Sequence, residues 1–309
     1  MKAHRILSGG LTLIVLTISL GLLAGCGGGG SSTVGDGGGG GTPTLNGAIS
    51  GTAIKGPVAN ATVTAFSINA NGAAGGVIGT GKTDAHGNFS ISVGDYLGPM
   101  MLRMTGGTYM DEATGMNMNM GQNDALTCVI PSMTAGSMMS GIQMTPLTSM
   151  AQGMAQNMPG GMTQSNISQA NNSMGNYFSV NDILHTVPMN PNVDGSGATA
   201  DQNMKNYGMT IAAMSQYANM IGMPNSSGMV AAMMNDASDG HMNGMMGNSG
   251  VMMGGGMMGG TRMSPNAGIT GLANAMMQFT QAPMNKSGVT VQDMANLINR
   301  LNTSNGAIQ

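Results

Sequence analysis

The 309-residue sequence carries 9 Lys and Arg against 12 Asp and Glu, and charged residues make up only 7% of it, against about a quarter in an ordinary soluble domain. With no basic cluster to neutralise phosphates, no Trp and only 4 Phe, it argues against nucleic acid as a partner; solubility has to come from Asn, Ser, Thr, Gln and Gly. Two cysteines exclude a disulfide framework, and the length admits two modest domains or one large one.

In chain order, Lys2 and Arg5 precede an apolar run that begins at Leu11 and closes on Leu23-Ala24-Gly25-Cys26. A basic start, an apolar core and small residues before a cut make a secretory signal, too short and wrongly flanked for a stable transmembrane helix. Leu-Ala-Gly-Cys resembles the lipobox of bacterial lipoproteins, in which a peptidase cuts before the cysteine and the cysteine carries a thioether-linked diacylglycerol and an N-acyl chain. The resemblance implies that residues 1–25 are a lipoprotein signal peptide and that Cys26 is the site of lipid attachment, the membrane being the partner of that lipid. Several acyl chains together give a lasting anchor, since each buried methylene adds about 0.8 kcal/mol. An ordinary secretory signal with an incidental cysteine is the alternative. Residues 26–45 then read as the lipidated cysteine and a glycine-rich tether: Gly27 to Gly30, Ser31-Ser32 and Gly37 to Gly41 hold too little apolar surface to offset ordering entropy. Gly27, rather than Asp, follows the cysteine; by resemblance to the sorting rule of Gram-negative lipoproteins, this implies the outer membrane.

Residues 46–131 show short strands and glycine-marked turns. Phe89, Ile91 and Val93 alternate with Ser90 and Ser92, and Leu126, Cys128 and Ile130 alternate with Thr127 and Val129, the period of a half-buried antiparallel strand. The run Gly56-Pro57-Val58-Ala59-Asn60-Ala61-Thr62-Val63-Thr64-Ala65, followed by Thr83-Asp84-Ala85-His86-Gly87-Asn88-Phe89, resembles the paired signature of carboxypeptidase regulatory-like, transthyretin-like domains. The resemblance implies a small antiparallel β-sandwich that is non-catalytic. Within it, Asp84 is expected to bond backbone amides and Gly87 to supply a positive φ.

Over residues 132–309 the apolar period changes to three and four, which predicts an all-α domain and, for the whole chain, an α+β multi-domain class. Thr145-Pro146 is a good N-cap and first helical position before the stripe Leu147, Met150, Met154 and Met158. Ile167, Ala170, Met174 and Phe178 give a second stripe, and Met204, Tyr207, Ile211, Met214, Ala218 and Ile221 a third. Ser264-Pro265 is expected to start another helix, and Thr290 with Asp293 resembles a capping box before Met294, Leu297 and Leu301. The order of parts also resembles a bacterial lipoprotein family of this two-part build, whose members carry Leu and Ala where this chain has Met.

For catalysis the residues offer little. Past the signal, histidines stand only at 86, 185 and 241, Cys128 sits in a strand rather than a glycine-rich elbow, and no HExxH or GxSxG motif is present, so no enzymatic activity is expected. Methionine is the stronger lead: of 38, all but Met1 fall at Met100 or later. Those on helical stripes replace Leu in a core. Met116-Asn117-Met118-Asn119-Met120 would line its thioethers on one face of a strand. In the 22 residues after His241 stand eight methionines and eight glycines, a density of glycine that cannot hold a helix and that predicts a disordered Met/Gly-rich loop over 241–263. Thioether sulfur is a soft, neutral donor for Cu(I) or Ag(I) that needs no deprotonation. The spacing resembles the methionine-rich segments of periplasmic copper-handling proteins and makes Met242, Met245, Met246, Met252, Met253, Met257, Met258 and His241 the candidate ligands. The alternative is a low-complexity insertion with no metal, its thioethers at most consuming oxidants as sulfoxide.

Overall fold

Strand alternation and turn glycines between residues 47 and 144 build two sheets in the computed structural model, which describes residues 46–254 and 260–309. The first sheet pairs β1 (Gly47–Ala53) antiparallel with β4 (Asn88–Gly94) and parallel with β9 (Met138–Met144). The second has the order β3 (Ala74–Lys82), β2 (Thr62–Ile68), β5 (Gly98–Thr105), β8 (Ala125–Met133), all antiparallel. A short hairpin, β6 (Thr108–Met110) and β7 (Asn117–Asn119), stands beside them. β9 lies beyond residue 131, where helical periodicity was expected to take over. Its parallel pairing with β1 departs from an all-antiparallel arrangement, because the chain leaves β8 in one sheet and returns along the edge of the other.

One set of alternating side chains from each sheet meets in a common core: Ile49, Phe89, Ile91 and Val93 from the first, Val63, Leu102, Leu126 and Cys128 from the second. Ser90 and Ser92 face solvent, as their period requires. The period of β8 is equally visible, but its other face is not exposed. Val129 and Met101 are buried against helices, and Thr127 is buried with its Oγ1 donating to Gln152 Oε1 at 3.1 Å. A strand covered on both faces is the middle layer of three, and alternation alone records the pleat rather than the number of layers.

The covering helices are α1 (Pro146–Asn157), α2 (Gln164–Tyr177), α3 (Gln202–Met220), α4 (Ser227–Ala237), α5 (Leu272–Thr280) and α6 (Ala295–Thr303). Thr145 caps α1 with its hydroxyl accepting from the Leu147 and Thr148 amides, while the Thr148 hydroxyl receives the Thr145 amide at 2.8 Å. The three expected stripes are buried except at their ends, where Met158 and Met204 are half-buried and Ile221 is exposed. After Ser264-Pro265 the chain forms a π-helical turn, Ala267–Gly271, in which Ile269 leaves helical geometry (φ −120°, ψ −109°), so the regular α-helix starts at Leu272. Thr290 and Asp293 exchange the capping-box bonds, Thr290 N–H to Asp293 Oδ2 at 2.7 Å and Asp293 N–H to Thr290 Oγ1 at 3.3 Å, one turn ahead of α6. The described strands and helices belong to one compact unit. Among the described residues no helix is long and apolar enough to cross a membrane.

Candidate functional site

The Met/Gly segment is ordered over its described residues, which corrects the expectation of a disordered loop. Two ribbons form: β10 (Met245–Met246) with β11 (Ser249–Gly250), and β12 (Met252–Met253) with β13 (Thr261–Arg262). Glycine weakens local structure here as anticipated, but tertiary bonds replace what it loses. Asp236, at the end of α4, is wholly buried, and its Oδ1 accepts from the Asn243 and Gly244 amides at 2.9 and 2.5 Å. Asp239 accepts from the His241 and Gly247 amides, and the Met242 amide donates to Gly306 O at 2.7 Å. Burial pushes the Asp236 carboxyl up to about 6, against the opposing pull of the amides it receives. Its Oδ2 has no hydrogen-bond partner among the described residues.

This folding divides the candidate soft ligands. Met242 and Met253 are buried in the helical core, together with Met263. Met245 is half-buried, while Met246 and Met252 are 48% and 52% exposed. Met252 pairs across its ladder with Arg262. His241 is exposed and forms a backbone bridge to Ala307. Of the described members of the set, two thioethers are thus spent on packing and two face solvent. Met257, Met258 and Cys26 lie outside the described residues. In the other methionine run, Met116 is exposed, Met118 half-buried and Met120 buried, since β7 spans only three residues before the chain turns inward.

The residues considered for catalysis stay apart. Asp84 and Gly87 make the expected turn, with Asp84 Oδ1 accepting from the His86 and Asn88 amides at 2.8 and 2.9 Å and Gly87 at φ +81°; the side chain of His86 remains exposed. His185 Nδ1 pairs with Asp182 Oδ2 at 2.8 Å in an exposed turn. Cys128 is fully buried and desolvation pushes its thiol upward, which removes thiolate character. Among the described residues no hydrogen bond or ion pair joins any two of His86, His185, His241 and Cys128.

Sequence reasoning missed a buried charged knot. Lys55, just after β1, has no exposed surface; its Nζ lies 2.6 Å from Glu112 Oε2 and 3.8 Å from Asp111 Oδ2, donates to Ser215 Oγ, and sits 5.0 Å from the Tyr109 ring centroid. Glu112 also accepts from the Gly56 amide and the Ser215 hydroxyl, each at 2.5 Å. Asp111 accepts from the Ser226 hydroxyl and the Ala113 and Thr114 amides, and the Tyr109 hydroxyl donates to Asn225 Oδ1 at 2.6 Å. The knot ties the β1–β2 turn and the β6–β7 hairpin to α3 and α4. Burial alone would lower the Lys55 pKa, but Glu112, Tyr109 and Asp111 outweigh it and hold the amine above its ordinary value. An ammonium so held is a fastening, not a nucleophile. One signal was present in the sequence: Glu112 is the chain's single glutamate and adjoins Asp111 in a chain poor in charge.

The architecture is that of an α+β protein whose buried ion pairs, among the described residues, join separate elements of the fold. No protein-family model matches the chain, and no curated protein or solved structure matches it either.

Proposed function

We propose that this protein is a lipid-anchored, non-enzymatic binding or structural module of the bacterial cell envelope, held through Cys26 at the outer membrane. The observation that carries the reading is Leu23-Ala24-Gly25-Cys26 after a basic, apolar leader, followed by a glycine-rich spacer that ends where β1 begins. Its two facing sheets are assigned to a transthyretin-like β-sandwich, a reading supported by the Asp84–Gly87 hairpin and the core shared between the sheets. Support for a non-catalytic role comes from Lys55, Asp111 and Glu112, which are consumed in a closed network, and from a Cys128 thiol raised by burial. The test is palmitate labelling and membrane fractionation of the full chain and of Cys26→Ala. The variant should lose label and keep its leader, and a variant still acylated and processed would refute the reading.

A second reading, a Cu(I)- or Ag(I)-binding protein, is favoured by the exposure of Met246 and Met252 on the two ribbons. In this form the candidate ligands narrow from the eight-residue set to the accessible Met245, Met246 and Met252, with His241 as a further exposed donor. Competition for Cu(I) against a chelator should weaken at least tenfold in Met246→Leu/Met252→Leu. Unchanged competition would remove the ribbon site.

A further inference from the structure

The outer face of the β3-β2-β5-β8 sheet is not fully covered by helices, and where α1 and α4 part from it a cleft of about 640 Å³ opens. That volume lies within the range of small-molecule sites, about 300–1,000 Å³. The cleft is built rather than incidental. Its rim is closed by the β2–β3 hairpin meeting the α1–α2 turn, where the Met162 amide donates to Gly72 O at 2.8 Å. Gly72 has φ +75°, and a Cβ there would strike the Gly160 carbonyl, so a bare backbone is needed for this closure.

The polar side chains of the lining are neutral apart from one arginine. Thr127 Oγ1 donates to Gln152 Oε1, and Gln152 Nε2 donates to Gln156 Oε1 at 2.6 Å. Asn71 Oδ1 accepts from the Ala73 amide at 3.1 Å. The Gln156 and Asn71 side-chain oxygens thus each hold one internal bond, while the N–H groups of both amides donate to no partner among the described residues. Beside them stands Arg103, on the same face of β5 as Met101, with no carboxylate of the described residues within 4.0 Å of its guanidinium. No acidic side chain lines the cleft. Arg103, Gln156 and Asn71 are exposed at the mouth, whereas Met101 and Met162 are buried at the floor with Met234 beside them. Thioether side chains fit irregular apolar bodies at little cost.

We propose that this cleft binds a small amphipathic monocarboxylate, its head on Arg103 and the amide donors and its apolar body on the methionine floor. A single guanidinium among neutral donors matches one negative charge, and an arginine–carboxylate pair is geometrically favoured for two parallel bonds. The proposal is independent of the lipid anchor, so loss of acylation at Cys26 would leave it untouched.

The test uses the full chain labelled with [methyl-13C]methionine, titrated with hexanoate and, as the uncharged isostere, hexanamide. Hexanoate should saturate with a Kd below about 1 mM and shift the Met101, Met162 and Met234 methyls, assigned by single Met→Leu variants. Hexanamide should bind at least about tenfold more weakly, and Arg103→Gln should abolish that difference. Ala231→Phe, which intrudes on the cleft from α4, should remove binding; because Arg103 is exposed, its variant keeps the comparison valid if the phenylalanine variant fails to fold. Absence of saturable hexanoate binding, equal affinity for the amide, unchanged selectivity in Arg103→Gln, or shifts confined to exposed methyls such as Met116 and Met138 would each overturn the proposal.

Discussion

Replacing Lys55 with methionine keeps most of the apolar stem of the side chain but deletes the only cation within 4.0 Å of Glu112 or Asp111 among the described residues. Glu112 would retain the Gly56 amide and the Ser215 hydroxyl, and Asp111 its Ser226, Ala113 and Thr114 donors, so hydrogen bonding survives while two buried negative charges lose their counter-ion. Removing one partner of a buried pair costs about 3–5 kcal/mol, mostly as the penalty on the charge left behind. Lys55→Met should therefore cost about that much. Lys55→Met/Glu112→Gln should cost less than the single variant, since the second change removes the stranded charge at Glu112 and leaves Asp111 with its own donors. Urea unfolding followed by far-ultraviolet circular dichroism measures both, with the slope of free energy on urea checked for constancy. A Lys55→Met cost below about 1 kcal/mol, or a double variant as damaged as the sum of the two singles, would refute the idea that the knot fastens the hairpin to the helices through charge.

Asp236 is displaced by burial from 3.8 to about 6, so between these values the folded protein binds more protons than the unfolded chain, and stability from this group is lost as pH rises through that window. The effect is on the order of 3 kcal/mol; Asp236→Asn should remove it, and wild-type and variant unfolding curves with the same pH dependence from 4 to 7 would contradict this assignment. Gly208 lies inside α3, where Ala ordinarily gains about 1 kcal/mol over Gly. Here a Cβ would drive into the Met189 carbonyl, so Gly208→Ala should lower rather than raise the thermal midpoint. Cys128, buried and with its thiol pushed up, should react with a maleimide only at the rate of unfolding; rapid labelling mapped to Cys128 in the native protein would show that β8 opens.

What could be read from the residues depended on how far each interaction reaches along the chain. The Thr145 cap, the Asp84–Gly87 turn and the Thr290–Asp293 box close over two to four residues, and each stands where the sequence put it. The apolar stripes of α1, α2 and α3 were equally visible, because a helix writes its buried face every three or four positions. Layering was not: Thr127 and Val129 look like the solvent face of β8 until α1 and α2 are packed onto them. The Met/Gly segment fails in the opposite sense. Local propensity argued against order, and order came from Asp236, Asp239 and Gly306, carboxylates and a carbonyl outside the segment's own pattern. The knot is the extreme case, with Lys55 meeting Glu112 and Ser215 across 57 and 160 residues. No periodicity records such a meeting, yet composition does leave a trace. In a chain that avoids charge almost everywhere, a lysine in an apolar turn and a lone glutamate beside an aspartate have to be either exposed or paired, and burying all three without pairing would cost more than the fold has to spare.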